Sequence, residues 1–529
     1  MFDYPTIIAI VAGAMLSGCL LSIASIRMAG ILQQEGYSSI SLLKWYFYRG
    51  NMQKRRCSLF ALVLLLLLAL FNVCFSFLPQ PYPNLIALVP FVGAFAVYFV
   101  ADKRYSLKVP LKRTTRAIRL IVAHTLLLML ISAGLAFGMV AASFAVDRGW
   151  FYLLRFVPFA ALPLFLPFTL AFAGALMKAY EIPHTAGYVR RATRILTNSS
   201  FVRVGITGSF GKTSVKNMAA QILSARFRVL PTPASYNTPV GIAKCVGDTE
   251  PDCDIFLAEM GARRVGDISE LCNMVKPTVG VVTGVCPQHV ETFGSFANIR
   301  REKGVLARRA KRVILGETAA FMRDDALIEG RDFAAENVTL AQDGTSFTLR
   351  VGENRAEVKT ALLGRHAAQD IAIAAALCTE LGMAFEEIVA AIPSVKAVPH
   401  RLEKSESGGV TILDDSYNSN VAGAQDAVEA LKLFGGKKTV VTPGLVELGE
   451  IEEKTNEALG ASFLGLDRII LVGESRVLAL RTGYLNAGGE EKRVTVVPTL
   501  HKAQDLLEAE LEVGDTVLFL NDLPDKYLP

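Results

Sequence analysis

Four long stretches in the first third of the chain contain no charged residue, and they constrain its fold more than any other feature. They cover residues 4–26, 57–101, 120–146 and 156–177. A helix that crosses the bilayer core needs about 20 apolar residues, so the first, third and fourth stretches each predict one span. The second is too long for one helix, and Pro79, Pro81 and Pro83 divide it. The sequence therefore predicts a membrane domain over residues 1–180 with five spans, at about 5–26, 57–78, 85–101, 120–146 and 156–177.

The charges between these spans predict their orientation. Lys and Arg residues are concentrated in the segments between spans one and two and between spans three and four. The turn near Pro81 has no charge, and the turn near Gly149 has only Asp147 and Arg148. Loops rich in Lys and Arg stay in the cytoplasm, so the N-terminus is predicted outside and everything after residue 177 inside. The first span lacks a preceding basic segment and a following small-residue cleavage site, and it is not predicted to be a signal peptide.

The end of the membrane domain contains several prolines. The fifth span holds Pro158, Pro163 and Pro167. They predict a bent or opened helix, which is either a kinked anchor or the wall of a cavity. After Pro183, three arginines at helical spacing predict a separate basic linker helix over residues 181–200, lying on the inner leaflet. Residues 33–48 are predicted to lie along the membrane interface or to form an ordinary loop.

The remainder of the chain alternates apolar, strand-like runs with helical patterns. Such runs cover residues 202–204, 255–259, 279–283 and 312–315. After residue 405 they cover 410–413, 439–442, 468–472, 494–497 and 516–520. This alternation predicts α/β architecture with parallel sheets covered by helices on both faces. We expect a central nucleotide-binding domain over 201–404 and a second, Rossmann-like α/β domain over 405–529.

The segment GITGSFGKTS at residues 205–214 predicts a phosphate-binding loop. It follows a strand and opens a helical pattern, and its Gly-rich backbone with a helix N-terminus is suited to phosphate oxygens. Lys212 is predicted to neutralise the β- and γ-phosphates, and the Thr213 hydroxyl to bind Mg²⁺. The flanking nucleotide contacts are assigned to Gly208, Ser209, Gly211 and Ser214. Ile206 stands where the strict motif has its first glycine.

Polar residues follow the predicted strands, where an open parallel sheet binds its ligands. They are Asn237, Thr238, Glu259 and His289. Glu259 and Thr213 supply oxygen ligands suited to Mg²⁺ beside nucleotide phosphates. The net charge of +6 clusters next to the predicted spans and does not indicate a nucleic-acid partner. The eight cysteines contain no C-x-x-C pair, which argues against a zinc site or a disulfide framework.

From about residue 203 onward, the chain resembles the Mur ligases, the ATP-dependent amide-forming family of peptidoglycan synthesis. The resemblance is carried by several motifs that occur in the order typical of the family. The loop GITGSFGKTS is followed by TPASYNTPVGIA (232–243), AEMGARRVGDI (258–268), PQHVETFGSFANIRREKG (287–304), LGRHAAQDIAIAAAL (363–377), PHRLE (399–403) and DDSYNSN (414–420). Within the family the chain is most similar to the members that add D-alanyl-D-alanine to a UDP-linked muramoyl tripeptide. Together with the predicted spans and their orientation, the resemblance leads us to expect a bacterial inner-membrane protein with cytoplasmic catalytic domains.

The resemblance also implies roles for individual residues. Lys212 and Arg401 would contact the γ-phosphate, Asp415 the ribose, and Asn237 and Thr238 the region of the phosphates and the acceptor. Thr213 and Glu259 would share one Mg²⁺, and His289 would help to bind a second. Lys303 stands where the family has a carbamylated lysine, whose carboxylate-like charge suits a neighbouring cation.

Three departures from the family pattern affect the substrates. Asp370 occupies the position of an asparagine that contacts adenine, and a carboxylate cannot donate to a ring nitrogen. Val421 replaces the proline that commonly follows the YNxN motif. The predicted membrane spans take the place of the domain that binds the UDP-sugar. These departures leave the uridine nucleotide and the mode of base recognition open.

The function expected from the sequence is a membrane-anchored ligase that forms an acyl phosphate with ATP and then an amide with an amino acid or a dipeptide. Its acceptor is either a lipid-linked precursor presented at the membrane or a UDP-linked one. A ligase for another envelope polymer, of the poly-γ-glutamate type, is the alternative with the same chemistry. A nucleotide-binding membrane scaffold and an ATP-driven transporter are the alternatives from other classes, although the chain has no LSGGQ-like signature.

Overall fold

The computed structural model describes residues 4–48, 51–75, 88–103, 111–145, 154, 156–234, 236–287, 290–417, 420–446, 448–473 and 476–521. The described residues form two compact units, one before residue 185 and the other from Thr185 to residue 521. The first is helical, and the second is α/β. The charge-free stretches predicted the helical part, and the alternation of strand and helix patterns predicted the α/β part.

Long apolar helices make up the N-terminal unit. The described helices are Tyr4–Ala24, Ile26–Gln34, Ser39–Tyr46, Met52–Phe75, Leu88–Lys103, Thr115–Ala145, Val157–Ala160 and Leu162–Asn198. Four contain segments long and apolar enough to cross a membrane: Ile7–Ala24, Met52–Phe75, Thr115–Ala142 and Leu162–Asn198. The predicted third span corresponds to the shorter helix Leu88–Lys103, and residues 76–87 before it lie outside the described ranges. The count of five spans therefore stays a prediction.

Close helix packing and partly buried ion pairs hold this unit together. Gly18 lies against Met129, so that a Cβ at position 18 would be 2.6 Å from the Met129 Cγ. Arg27 Nε and Arg56 Nη1 both contact Asp102 Oδ1, at 3.4 and 2.9 Å. Three helix ends are thereby connected through a single carboxylate.

The region around the prolines differs from the prediction. A short helix, Val157–Ala160, is followed by a turn at Ala161, and the helix Leu162–Asn198 then runs through Pro167 and Pro183. There is no separate linker helix over 181–200. A proline inside a helix removes one hydrogen bond and clashes with one carbonyl, at a cost of about 3 kcal/mol.

A six-stranded parallel sheet forms the centre of the first α/β domain. Its strands are β1 (Val202–Thr207), β2 (Val229–Pro231), β3 (Ile255–Glu259), β4 (Val279–Val282), β5 (Arg312–Leu315) and β6 (Leu327–Ile328), in the order β2-β3-β1-β4-β5-β6. Its helices are Lys212–Leu223, Pro239–Val246, Asp267–Val275, Val290–Phe293, Phe296–Arg309, Arg365–Glu380 and Phe385–Ala391. On β3, Ile255 and Leu257 belong to one buried core, and Phe256 and Ala258 to another. Both faces of the sheet are therefore covered, as predicted.

A three-stranded antiparallel sheet was not predicted. It comprises β7 (Phe333–Ala341), β8 (Gly344–Val351) and β9 (Asn354–Thr360), in the order β7-β8-β9. Phe347 and Leu349 on β8 pack into the same core as Ile371 of the helix Arg365–Glu380. Polar residues alternate with apolar ones along these strands, which gives no continuous apolar run.

The second α/β domain contains another six-stranded sheet. Its strands are β10 (Glu403–Ser407), β11 (Val410–Asp415), β12 (Lys438–Thr442), β13 (Arg468–Val472), β14 (Val494–Val497) and β15 (Thr516–Leu520), in the order β10-β11-β15-β12-β13-β14. The helices are Val421–Lys432, Glu452–Ser462, Val477–Asn486 and Leu500–Glu510. Only β10 pairs antiparallel among these strands. It is a polar edge strand and gave no apolar signal in the sequence.

Candidate active site

The predicted phosphate-binding loop connects β1 to the helix Lys212–Leu223. Gly208 and Gly211 have φ angles of 157° and 72°, and a Cβ at Gly208 would collide with Thr283 Oγ1. A Cβ at Gly211 would lie 2.6 Å from Asp370 Oδ1. Both positions therefore require glycine, for reasons of space as well as backbone conformation. Ser209 N donates to Gly284 O at 2.8 Å, which ties the loop to the segment after β4.

Lys212 folds back over its own loop. Its Nζ donates to Gly208 O at 2.8 Å and to Ser209 O at 3.2 Å. Burial lowers the pKa of Lys212; the charge of Glu259 opposes this shift, and that of Arg401 adds to it. A phosphate in the loop would offer this amine a charged acceptor in place of two backbone carbonyls.

Glu259 ends β3 and is paired on both oxygens. Oε2 accepts from Lys216 Nζ at 3.1 Å, and Oε1 accepts from Asn237 Nδ2 at 3.1 Å. Thr238 caps the helix Pro239–Val246 by accepting from Gly241 N at 3.2 Å. The structure thus brings Asn237 and Glu259 together and gives Thr238 a local capping contact.

Lys303 is buried on the helix Phe296–Arg309, with only 3% of its surface exposed. Its Nζ lies 3.5 Å from Thr207 Oγ1, at the end of β1. Burial, with a further contribution from the charge of Lys212, lowers the pKa of Lys303 to about 7. A large fraction of this amine is therefore neutral at physiological pH, which is unusual for a lysine.

Asp370 lies against the phosphate-binding loop. It belongs to the helix Arg365–Glu380, is buried next to Gly211, and shares a hydrogen bond with the side chain of Ser214. Burial raises the pKa of Asp370 to about 7; the charge of His366 opposes the shift, and that of Glu329 adds to it. A carboxyl that titrates near neutrality therefore faces the place where phosphates are expected.

Arg401 lies on the connection to the second sheet. Its guanidinium carbon is 4.6 Å from the centre of the Tyr417 ring, and its charge lowers the pKa of Lys212. The flanking residues His400 and Leu402 have φ angles of 63° and 47°, which non-glycine residues seldom adopt. Asp415 Oδ1 accepts from Leu402 N at 3.2 Å, so the predicted ribose ligand supports this strained connection.

Comparison with known proteins identifies the two α/β domains. The family profile described as "Mur ligase middle domain" matches residues 206–378, and "Mur ligase, glutamate ligase domain" matches residues 400–521. The two matches together cover more than half of the chain. The chain belongs to the Mur ligase family. The members of this family are ATP-dependent, ADP-forming amide ligases, and these are two of their domains. Residues 1–205 lie outside both matches.

Individual relatives agree with this assignment. The chain is 31% identical over 300 residues to the UDP-N-acetylmuramoyl-tripeptide–D-alanyl-D-alanine ligase of Escherichia coli (strain K12), which covers 53% of this chain and 66% of the relative. The ligase of the same name from Mycobacterium tuberculosis (strain H37Rv) is 28% identical over 355 residues. The match covers 60% of this chain and 69% of the relative. The chain thus spans about two thirds of the length of these curated relatives.

Solved structures show the same fold. MurF from Acinetobacter baumannii superposes with a TM-score of 0.58 at 23% identity, covering 64% of this chain and 77% of that one. MurF ligase from Thermotoga maritima, solved in complex with ADP, superposes with a TM-score of 0.57 at 25% identity. The superposition covers 65% of this chain and 81% of that one.

The donor set of this Mur ligase fits a magnesium–nucleotide complex better than a metal site made by protein alone. Within the described ranges, no group of three or more His, Cys, Asp or Glu side chains is arranged to hold a metal ion. Mg²⁺ keeps several waters and usually takes one or two protein ligands together with substrate phosphates. The carboxylate of Glu259 and the hydroxyl of Thr213 would suffice for such a site. The predicted second-metal ligand His289 lies outside the described residues.

Two site residues were not predicted from the sequence. Lys216 lies one helical turn after Lys212 and is completely buried beside Glu259. Thr283 Oγ1 donates to Phe210 O in the loop. The sequence does contain a hint of this role, because Lys216 falls among the apolar, buried residues of its helix, between Val215 and Met218. A lysine on a buried face needs acceptors there, and the sequence alone does not identify them.

Replacing Asp370 by asparagine is expected to change the pH dependence of stability and nucleotide binding. The folded-state pKa of about 7 lies above the value of about 3.9 for an exposed aspartate. The stabilising contribution of this group is therefore full below about pH 4 and is lost as pH rises to 7. Relative to D370N, the free energy of unfolding of the wild type should fall by about 1.4 kcal/mol per pH unit in that window. Above pH 7, the ionised carboxylate should also weaken ADP binding.

Thermal unfolding and ADP titrations between pH 5 and 8 measure both effects. Asp343→Asn is the matched control, because Asp343 is exposed and pairs with Lys359. Parallel pH profiles for the wild type and D370N would contradict a role for Asp370 ionisation.

Proposed function

We propose that this Mur ligase is a membrane-anchored enzyme that joins a D-alanyl-D-alanine-like amine to a carboxylate of a peptidoglycan precursor. The observation that carries the proposal is the predicted phosphate-binding loop with Lys212, Glu259 and buried Lys303, together with four helices among the described residues that could span a membrane. The names of the similar ligases support the dipeptide and the muramoyl peptide as substrate classes. The apolar helices support an inner-membrane location with the catalytic domains in the cytoplasm.

The proposed reaction has two steps. The acceptor carboxylate attacks the γ-phosphorus of ATP and ADP leaves, which gives an acyl phosphate. The amine then attacks the acyl carbon, a proton is lost, and phosphate leaves as the amide forms. Lys212 and Arg401 offset the negative charge of the transferring phosphoryl group, which is most of what this chemistry requires from the protein. Asn237 and Thr238 lie on the loop suited to contact the phosphates and the acceptor.

Mg²⁺ would offset phosphate charge, with Glu259 and Thr213 as ligands of one ion and His289 near a second. We propose that Lys303 is carbamylated: its neutral amine adds to CO₂, a proton is released, and the side chain becomes anionic. The lowered pKa of Lys303 supports this step, because only a neutral amine is nucleophilic. The product would replace an ammonium by an oxygen ligand beside the cations.

For the acceptor, we propose a lipid-linked precursor presented at the cytoplasmic leaflet. Residues 1–205 lie outside the matched family domains, and four helices among their described residues are long and apolar enough to cross a membrane. A binding domain for the UDP-sugar is not part of the two matched domains. A substrate held in the bilayer would instead be brought to the ligase domains by the membrane itself.

Phosphate release by the full-length protein in detergent tests the reaction and the acceptor. Lipid-linked and UDP-linked muramoyl peptides would each be offered with D-alanyl-D-alanine or with single amino acids, and the Lys212→Ala variant would give the background. We expect release with the lipid-linked acceptor and the dipeptide, at least tenfold faster than with the UDP-linked acceptor. Equal rates with both acceptors would contradict the lipid-linked proposal, and no release with any pair would contradict the ligase proposal.

A further inference from the structure

Lys216 is a fully buried lysine with three acceptors. It has 0% exposure, and its Nζ donates to Thr232 O at 2.7 Å, Ala234 O at 2.8 Å and Glu259 Oε2 at 3.1 Å. An ammonium group has three hydrogens, so its hydrogen-bonding capacity is fully used. A buried charge is expensive unless it is paired and hydrogen-bonded, and here both conditions are met. The phosphate-binding role assigned to Lys212 does not account for this arrangement.

The contacts of Lys216 fix the orientation of the Glu259 carboxylate. Lys216 holds Oε2, while Asn237 Nδ2 holds Oε1 at 3.1 Å. Each oxygen still has a lone pair available for a cation. The backbone of Glu259 is also held, because its N–H donates to Thr232 Oγ1 at 3.1 Å. The carboxylate is therefore presented in one orientation before any ligand binds.

The same lysine stabilises a strained part of the following loop. Ala234 has a φ of 42°, a left-handed conformation that costs energy for any residue with a Cβ. Its carbonyl is one of the acceptors of Lys216. The loop is attached again where Gly261 N donates to Asn237 O at 2.9 Å. Lys216 thus connects the loop that carries Asn237 to the carboxylate of Glu259.

We infer that Lys216 is a positioning residue that makes divalent-cation binding at Glu259 depend on the nucleotide. This inference rests on the proposed function. Lys216 and Glu259 together carry no net charge, the hydroxyl of Thr213 is neutral, and the positive charge of Lys212 also acts on Glu259, so the Lys216–Glu259 pair attracts a free cation only weakly. Nucleotide phosphates supply the missing negative charge. The cation is then bound only together with its nucleotide, at a carboxylate that is already oriented.

The test measures Mn²⁺ binding to the full-length protein by electron paramagnetic resonance, with and without ADP. The wild type should bind Mn²⁺ strongly only with ADP. Lys216→Met leaves the charge of Glu259 uncompensated, so Mn²⁺ affinity without ADP should rise at least tenfold, while the gain in affinity caused by ADP should shrink. The Lys216→Met/Glu259→Gln double variant should behave as Glu259→Gln alone, because Lys216 acts through this carboxylate. Lys244→Met, at an exposed lysine of the same domain, is the matched control.

Folding is checked separately, by the thermal unfolding midpoint of each variant. If Lys216→Met does not fold, Lys216→Gln performs the test, since its amide keeps two N–H donors for the loop carbonyls but has no charge. Lys216 variants that bind Mn²⁺ as the wild type does would overturn the inference. It would also be overturned if Lys216→Met changed Mn²⁺ affinity by the same factor in Glu259→Gln as in the wild type. A wild type that binds no Mn²⁺ even with ADP would contradict the proposed function itself.

Discussion

Replacement of Lys212 by alanine is expected to lower the rate of phosphate release by about 10³-fold or more, the loss typical of a group that stabilises charge in the transition state. The Lys212 amine is already held over the loop by Gly208 O and Ser209 O, within reach of a phosphate that enters it. Its loss removes one of the two positive charges that we expect at the transferring phosphoryl group, and Arg401 supplies only the other.

Steady-state phosphate release with saturating ATP and both co-substrates measures this effect. Lys244→Ala is the control, because Lys244 is an exposed lysine of the same domain. ADP binding by both variants separates a loss of chemistry from a loss of folding. A Lys212→Ala enzyme with a rate within tenfold of the wild type would show that the loop does not position the transferring phosphate.

Lys303→Arg is expected to lower turnover by about 10²- to 10³-fold, because an arginine retains a positive charge and does not form a carbamate. The wild-type enzyme should gain activity when bicarbonate is added to CO₂-depleted buffer. Since the pKa of Lys303 is about 7, this gain should be larger at pH 8 than at pH 6, where most of the amine is protonated and does not react with CO₂.

Carbon-13 NMR with labelled bicarbonate gives a readout that does not depend on turnover. A carbamate resonance should be present in the wild type and absent in Lys303→Arg. Lys311→Arg, which changes an exposed lysine just beyond the same helix, should keep both the resonance and the activity. Equal activity of Lys303→Arg and the wild type, with no response to bicarbonate, would contradict carbamylation.

These experiments concern a Mur ligase whose α/β domains follow a helical unit in the chain. Asp370 and Lys303 both titrate near pH 7 for the same reason, which is burial beside the phosphate-binding loop. The two groups change charge in the same pH range, one becoming negative and the other neutral. The pH dependence of the wild type should therefore be interpreted only against the single variants.

Local patterns in the sequence were sufficient to predict much of the fold. The strand–loop–helix at residues 202–223, the strand Ile255–Glu259 and the strand Arg468–Val472 were predicted from apolar runs and glycine spacing, since both signals arise within a few neighbouring residues. The antiparallel strands β7–β9 and the edge strand β10 were not, because half-exposed strands have no continuous apolar run. The fifth span and the linker helix over 181–200 were predicted as two elements, and the structure has one helix there, Leu162–Asn198.

The sequence by itself therefore determined the family, the α/β class and the strand–loop–helix that carries the predicted phosphate-binding residues, because short motifs and apolar periodicity are local. Only the tertiary structure decided the environment of the charged groups. It buried Lys303 against Thr207, which precedes it by 96 residues, and paired Lys216 with Glu259, 43 residues later. Burial and pairing set the protonation and orientation of these side chains. Both depend on residues distant in the chain, and no local pattern encodes them.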